Sequence, residues 1–308
     1  MRLLTARRVK KRLMLYRRRS KVWAPFYERL GDKMRFWTAL QYPLHQAILV
    51  DNGKIIRSIP DHSPKTLARM VGPIGEWDDK HILVGRRSSV EMWTKDGVEM
   101  VRTVTHPWIY DFHVLQRYQD GLLLGCAGLD CVLIMDWEGK VSWSWFASKH
   151  GLSADLKGYP VPFGEGQEWQ AFQLTQNFVL PGSTHLNSVR FDTDDTFYAT
   201  LCHSRKAIRV RIGQDEPIDI ASIAEELPHD YQIDKRINAP VVGHAKGLSV
   251  NGRTLFEAKD RHVKRVYPLG KDAYIFTHEK GVAVVDVNNK VHQDITVPRP
   301  WHVVNLEE

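Results

Sequence analysis

The 308-residue sequence predicts an all-β chain folded as a single β-propeller, preceded by a basic helical arm. Three observations predict it. Apolar runs are short and end at turns such as Asn52-Gly53, Asp96-Gly97, Asp120-Gly121 and Glu138-Gly139. The chain carries 10 Trp, 10 Tyr and 11 Phe, while long helical periodicity is scarce. A four-strand unit also recurs, with its third strand running into an Asp and a turn before the fourth.

In chain order, residues 1–35 read as the arm: Leu3, Leu4, Val9, Leu13, Met14, Tyr16 and Val22 lie at helical spacing among Arg and Lys. Residues 36–308 read as the propeller domain. Gln46–Val50 and Lys54–Ile59 form a hairpin across Asn52-Gly53. Lys80–Gly85, Ser89–Trp93 and Val98–Val104 continue as an antiparallel meander. The next unit is the clearest: Phe112–Leu115, Leu122–Cys126, Cys131–Asp136 and Lys140–Trp145. A further unit opens at His185 and includes Thr196–Leu201 and Ala207–Ile212. The last is built from Ala273–Thr277, Gly281–Val287 and Val291–Ile295. At about 40–50 residues per blade, the domain holds five to seven four-stranded blades, six being the best count. Residues 147–183 and 213–240 read as insertions, and Ile220–Leu227, stopped by Pro228, as a short helix.

The formal net charge of +7 is local in origin. Residues 1–22 carry ten basic side chains and no acid, which leaves 33 basic against 36 acidic residues in the rest. A fold-wide basic surface for specific nucleic-acid binding is therefore not expected. The arm itself fits an anionic membrane surface, an acidic partner or the rim of its own domain. Cys126, Cys131 and Cys202 are too few for a disulfide framework and are expected as reduced, buried thiols. No apolar run approaches a membrane span or a signal-peptide core, so the expected location is cytoplasmic, or peripheral to the membrane through residues 1–22.

Five histidines, His45, His113, His185, His244 and His302, each stand ahead of an apolar run. If those runs are the first strands of blades, their imidazoles ring the axis at one mouth. His185 and Asn187 open one strand, and His203 and Arg205 close its hairpin partner, so all four converge. Histidine suits two chemistries. As nucleophile or general acid and base, His113, His185 and His244 are the candidate catalytic residues, with Asn187, His203 and Arg205 binding substrate. As a ligand set, His113, His185, His244 and His302 could hold Fe, Zn or Cu. The cluster of His185, Asn187, His203 and Arg205 favours an anionic or polyhydroxylated small molecule or a glycan. A non-catalytic propeller that binds a glycan or a protein is the alternative.

The segment His185-Leu186-Asn187, with Arg205 near the end of the following strand and His113 opening the preceding blade, resembles the arylsulfotransferase-like β-propellers. The resemblance covers about 100 residues. It implies a propeller fold and histidine-mediated sulfuryl transfer between phenolic compounds, with His113 and His185 among the active-site residues and Asn187 and Arg205 beside them.

Overall fold

A computed structural model describes residues 35–40, 46–51, 54–59, 72–86, 88–109, 111–152, 184–258, 262–296 and 300–305. These residues form six four-stranded antiparallel sheets. The first sheet is closed by the chain ends. β24 (Pro300–Asn305) lies beside β1 (Arg35–Leu40), with Trp37 opposite Val304, followed by β2 (Gln46–Asp51) and β3 (Lys54–Ile59). The other five sheets each run outward in chain order. Their innermost strands are β4 (Ile74–Glu76), β8 (Phe112–Tyr118), β12 (Leu186–Thr193), β16 (Asp230–Asp234) and β20 (Val263–Leu269). Each touches the next, and β20 and β4 both touch β24, so six inner strands close a ring around an axis. This is a β-propeller, and the seam between the two ends of the chain closes it.

The sequence dictates each layer of a blade. Second and third strands have both faces covered by neighbouring blades, so their buried positions are mostly apolar. β9 (Gly121–Cys126) and β10 (Cys131–Met135) are almost wholly buried. Outermost strands face solvent: in β7 (Met100–Thr105) Val104 is the one buried residue. The core is accordingly a series of interblade layers. One joins Val114, Leu123 and Trp145 to Leu186, Val189 and Phe197; another joins Val241 and Leu248 to Val266 and Phe276. The layer between the fourth and fifth sheets holds only Ala207, Ile223, Tyr231 and Val242 as buried members among the described residues.

The recurring Asp after the third strand has a local cause. The Oδ1 of Asp136 accepts from the backbone N–H of Glu138 and Lys140, and that of Asp286 from Asn288 and Lys290, so each carboxylate folds the turn it precedes. Gly125 serves packing: a Cβ there would lie 2.9 Å from Val114 and 3.0 Å from Leu186.

Two expectations change. Residues 220–227 are not helical. Ile220 pairs with Ile208 and Ala221 with Ala207 in β15 (Asp219–Ser222), because a sheet edge supplies the backbone partners that an isolated two-turn helix lacks. Residues 213–240 are not an insertion, since they contain β15 and the inner strand β16. The expected arm, the turn at Asn52-Gly53, His45 and most of the 147–183 segment lie outside the described residues; of that segment, Ala147–His150 forms a 3-10 helical turn. The three cysteines are buried free thiols, with Cys126 opposite Cys131 in the β9–β10 pair. Among the described residues no helix is long and apolar enough to cross a membrane.

The packing predicts that Gly125→Ala, at a backbone angle alanine adopts freely, destabilises the protein by about 1–3 kcal/mol through overpacking alone. Chemical denaturation checks this; an unchanged midpoint contradicts the interblade fit.

Candidate functional site

An inner strand pairs on one side only, so its other edge presents unpaired backbone groups to the axis. Long polar side chains meet that need. Gln116 donates to the carbonyl of Val189 at 3.1 Å, Gln232 to Val266 at 2.9 Å and Arg117 to Trp77 at 3.2 Å. Arg190 donates to Val266 at 3.1 Å and forms a two-pronged pair with Asp230, at 2.9 and 2.5 Å. Burial works to raise the Asp230 pKa, but Arg190 outweighs it and holds the carboxyl below its ordinary range.

Arg265 is the central case. Its guanidinium is 2% exposed and donates to the carbonyls of His113 (2.7 Å), Asn187 and His229 (3.1 Å). One side chain of β20 thus ties β8, β12 and the residue ahead of β16 across the axis. Burial pushes its pKa down to about 10, which leaves it charged at neutral pH. It also lines a cavity of about 290 Å³ farther along the axis, together with Gly75, Gln116, Arg117, Arg190 and Tyr267.

The three clamped residues occupy one level. Val114 lies opposite Gly125, Ser188 opposite Thr200, Asp230 opposite Gly243 and Arg265 opposite Thr277. The residues just before these are His113, Asn187, His229 and Lys264. In β8, β12 and β20 they are extra, bulged residues, a device that re-aims a side chain. Two positions further out stand Asp111, His185 and Leu227, all left-handed with φ of 46°, 55° and 47°, and ahead of Lys264 stands His262. Three non-glycine residues in this costly region at one mouth mark strain that the surrounding structure holds in place. Part of that hold is Asp130, fully buried, whose carboxylate accepts from the backbone N–H of Thr184 and Leu186 on either side of His185.

The side chains of this level meet in two groups. His113 Nδ1 donates to Asn187 Oδ1 at 2.8 Å, and its Nε2 lies 3.6 Å from the Asp111 carboxylate. The His185 ring packs edge-on to His113 at 4.8 Å and stacks on exposed His203 at 5.3 Å. In the second group His229 Nδ1 donates to the Leu227 carbonyl at 2.8 Å, which leaves the Nε2 lone pair facing the Lys264 ammonium at 3.3 Å. His262 packs 5.3 Å from His229. Burial, then the neighbouring His113, pushes His185 down to about 3. Burial and Lys264 hold His229 well below its ordinary value, and the same two causes lower His262. These three imidazoles are neutral at physiological pH, next to a lysine.

Of the residues singled out by sequence, His113, His185, Asn187 and His203 come together. Arg205 and His244 do not join them. His244 ends β17 (Ala239–His244), the second strand of its sheet, where its Nε2 lies 3.0 Å from Ser249 Oγ. The apolar run after it was expected to be an inner strand, but β16 already holds that place. His244 and Arg205 instead line a cleft of about 520 Å³ between the fourth and fifth sheets. His302 belongs to inner strand β24, and its side chain lies outside the described residues. His244 therefore does not join His113 and His185 in the expected ligand set. No group of three or more His, Cys, Asp or Glu side chains converges for a metal among the described residues.

Sequence reasoning missed His229, His262, Lys264 and Arg265. A signal existed: the polar-x-polar spacing of His185 and Asn187 recurs as Asp111 and His113 and as His262 and Lys264.

No protein-family model matches the chain, and no curated protein matches it. Solved structures do. A protein of unknown function from Bacteroides caccae aligns with a TM-score of 0.63 at 10% identity, over 90% of this chain and all of that one. The C-terminal WD40 domain of Sif2 aligns at 0.47 and 13% identity, over 90% of this chain and 71% of that one. Dihydro-heme d1 dehydrogenase NirN aligns at 0.43 and 12%, over 88% of this chain and 55% of that one. The first similarity supports the fold alone, and the other two are too distant to carry an argument.

Two predictions follow from the clamp and the buried imidazoles. Arg265→Met strips a buried carbonyl cluster of its donor and lowers stability by about 2–5 kcal/mol, with Arg265→Lys milder; thermal and denaturant unfolding check it, and equal stability of all three proteins contradicts the clamp. For pH, unfolded histidines take up protons near 6.5 whereas folded His185 does so only near 3. Between these values the unfolded state binds more protons, so stability is complete above about pH 6.5 and falls as pH drops toward 3, with His229 and His262 acting in the same direction. The urea midpoint is expected to be lower at pH 5 than at pH 7.5; equal midpoints contradict the neutral assignment.

Proposed function

We propose that the protein is a histidine-dependent group-transfer enzyme acting on an oxyanion ester, such as a phenolic sulfate, at one mouth of the propeller axis. The carrying observation is the neutral His229 ring, with its Nδ1 fixed on Leu227 and its Nε2 lone pair beside the Lys264 ammonium at 3.3 Å. A nucleophile and a counter-charge for a tetrahedral anion then stand side by side. The resemblance of His113 and His185-Leu186-Asn187 to the arylsulfotransferase-like propellers supports the same class of chemistry, although Arg205, the resemblance's arginine, lies in the neighbouring cleft.

His229 Nε2 forms a bond to the sulfur of the ester while the bond from sulfur to the phenolic oxygen breaks. Lys264 offsets the charge of the sulfuryl oxygens and gives its proton to the departing phenolate. The acceptor hydroxyl returns a proton to Lys264 and attacks sulfur, and the nitrogen–sulfur bond breaks. The neutral His185 ring donates its N–H to a sulfuryl oxygen, and the Nε2 lone pair of His113, set by its Nδ1 bond to Asn187, accepts from the incoming hydroxyl.

With 4-nitrophenyl sulfate and phenol, wild-type protein is expected to release nitrophenolate and form phenyl sulfate. His229→Ala is expected to abolish turnover while still binding sulfate, and Lys264→Ala to weaken sulfate binding at least about tenfold. Absence of both turnover and sulfate binding, measured by calorimetry on the wild type, contradicts the proposal.

A further inference from the structure

We infer that the cleft between the fourth and fifth sheets binds a saccharide, the neutral hydroxyl-rich body of a substrate whose anionic group occupies the level of His229 and Lys264. The inference rests on the proposed function for the anion, while the cleft's own chemistry stands apart from it.

The cleft exists because the interblade layer there is thin. Its volume of about 520 Å³ falls within the roughly 300–1,000 Å³ of small-molecule sites. It adjoins the histidine mouth through the chain itself. Arg205 follows two residues after His203, which stacks on His185. On the opposite wall, Glu226 directly precedes Leu227, whose carbonyl holds His229, and its own carbonyl accepts from Ala245 N–H at 3.1 Å. Arg265 ties the inner strands together across the axis, so a long substrate cannot thread the channel past it. The body of a substrate seated at His229 must then lie across the mouth, and the cleft, lined by Arg205 and Glu226 from the segments that carry His203 and Leu227, is the recess assigned to it.

Its lining selects a neutral, polar occupant. Arg205 and Lys246 face Glu225 and Glu226, two cations against two carboxylates, and Lys246 and Glu226 already pair at 2.9 Å. That balance offers an anion no net charge. Hydroxyl groups bring both donors and acceptors and satisfy such a mixed wall.

One acceptor–donor relay is fixed. Lys246 N–H donates to His244 Nδ1 at 3.3 Å, so the neutral ring carries its proton on Nε2 and donates to Ser249 Oγ at 3.0 Å. The Ser249 hydroxyl, accepting from His244, keeps its own proton to donate, and Ser249 lines the cleft together with Ser222 and Thr254. Ile223, Tyr231, Pro240 and Val242 supply apolar surface for the carbon faces of a sugar ring.

The test uses the full chain on an array of neutral glycans and their monosulfated counterparts, followed by calorimetry with the best-bound pair and with inorganic sulfate. The sulfated glycan is expected to bind at least about tenfold more tightly than either the neutral glycan or sulfate. Ser249→Ala and Glu225→Gln are each expected to weaken both glycans about tenfold and leave inorganic sulfate unchanged. Lys264→Ala is expected to weaken sulfate and the sulfated glycan while sparing the neutral one. The inference is overturned if the array binds no glycan, or if folded Ser249→Ala and Glu225→Gln variants bind glycans within twofold of wild type. If the wild type binds the neutral glycan through Ser249 yet binds no sulfate, the cleft assignment holds and the axial reading falls.

Discussion

One guanidinium holds together one mouth of the propeller axis. A ring of inner strands leaves a circle of unpaired carbonyls facing a narrow axis, and buried carbonyls without partners cost about 1–3 kcal/mol each. Arg265 answers several of them at once, and those it answers belong to His113, Asn187 and His229. The same bonds that satisfy the backbone therefore fix the spacing of the side chains at the mouth. Gln116, Arg190 and Gln232 do the same for the edges farther along.

The bulges and left-handed residues acquire their meaning from that clamp. A regular inner strand would turn alternate side chains into the interblade layers. The extra residue at His113, Asn187 and Lys264 breaks the alternation, and the left-handed backbone at Asp111, His185 and Leu227 turns the chain into it. Such strain persists only where rigid surroundings oppose relaxation. Asp130, bonded on either side of His185, and Arg265, bonded beneath it, are those surroundings.

The architecture was legible wherever strands are apolar. Leu122–Cys126, Cys131–Asp136 and Gly281–Val287 could be read because both faces are buried, and the Asp before the turn could be read because it folds that turn through its own carboxylate. Inner strands escaped for the opposite reason. Asp230-Tyr231-Gln232-Ile233-Asp234 is polar because its side chains serve the axis, so it resembles a loop. Missing that strand moved the expected inner position to His244 and hid His229. Lys264 and Arg265 were hidden in the same way, as charges in a strand whose partners are carbonyls on other strands, which no local pattern encodes. His113, His185 and Asn187 were found because their strands continue into apolar residues.

On the proposed function the mouth is a single anion site, held in one geometry by Arg265. Its most direct test is a sulfate titration followed through the imidazole resonances of the histidines by NMR. The resonances of His113, His185, His229 and His262 are expected to move together with one dissociation constant, while those of His81, His150 and His292, each paired with a surface carboxylate, stay in place. Independent constants among the four, or shifts confined to the surface histidines, would contradict it.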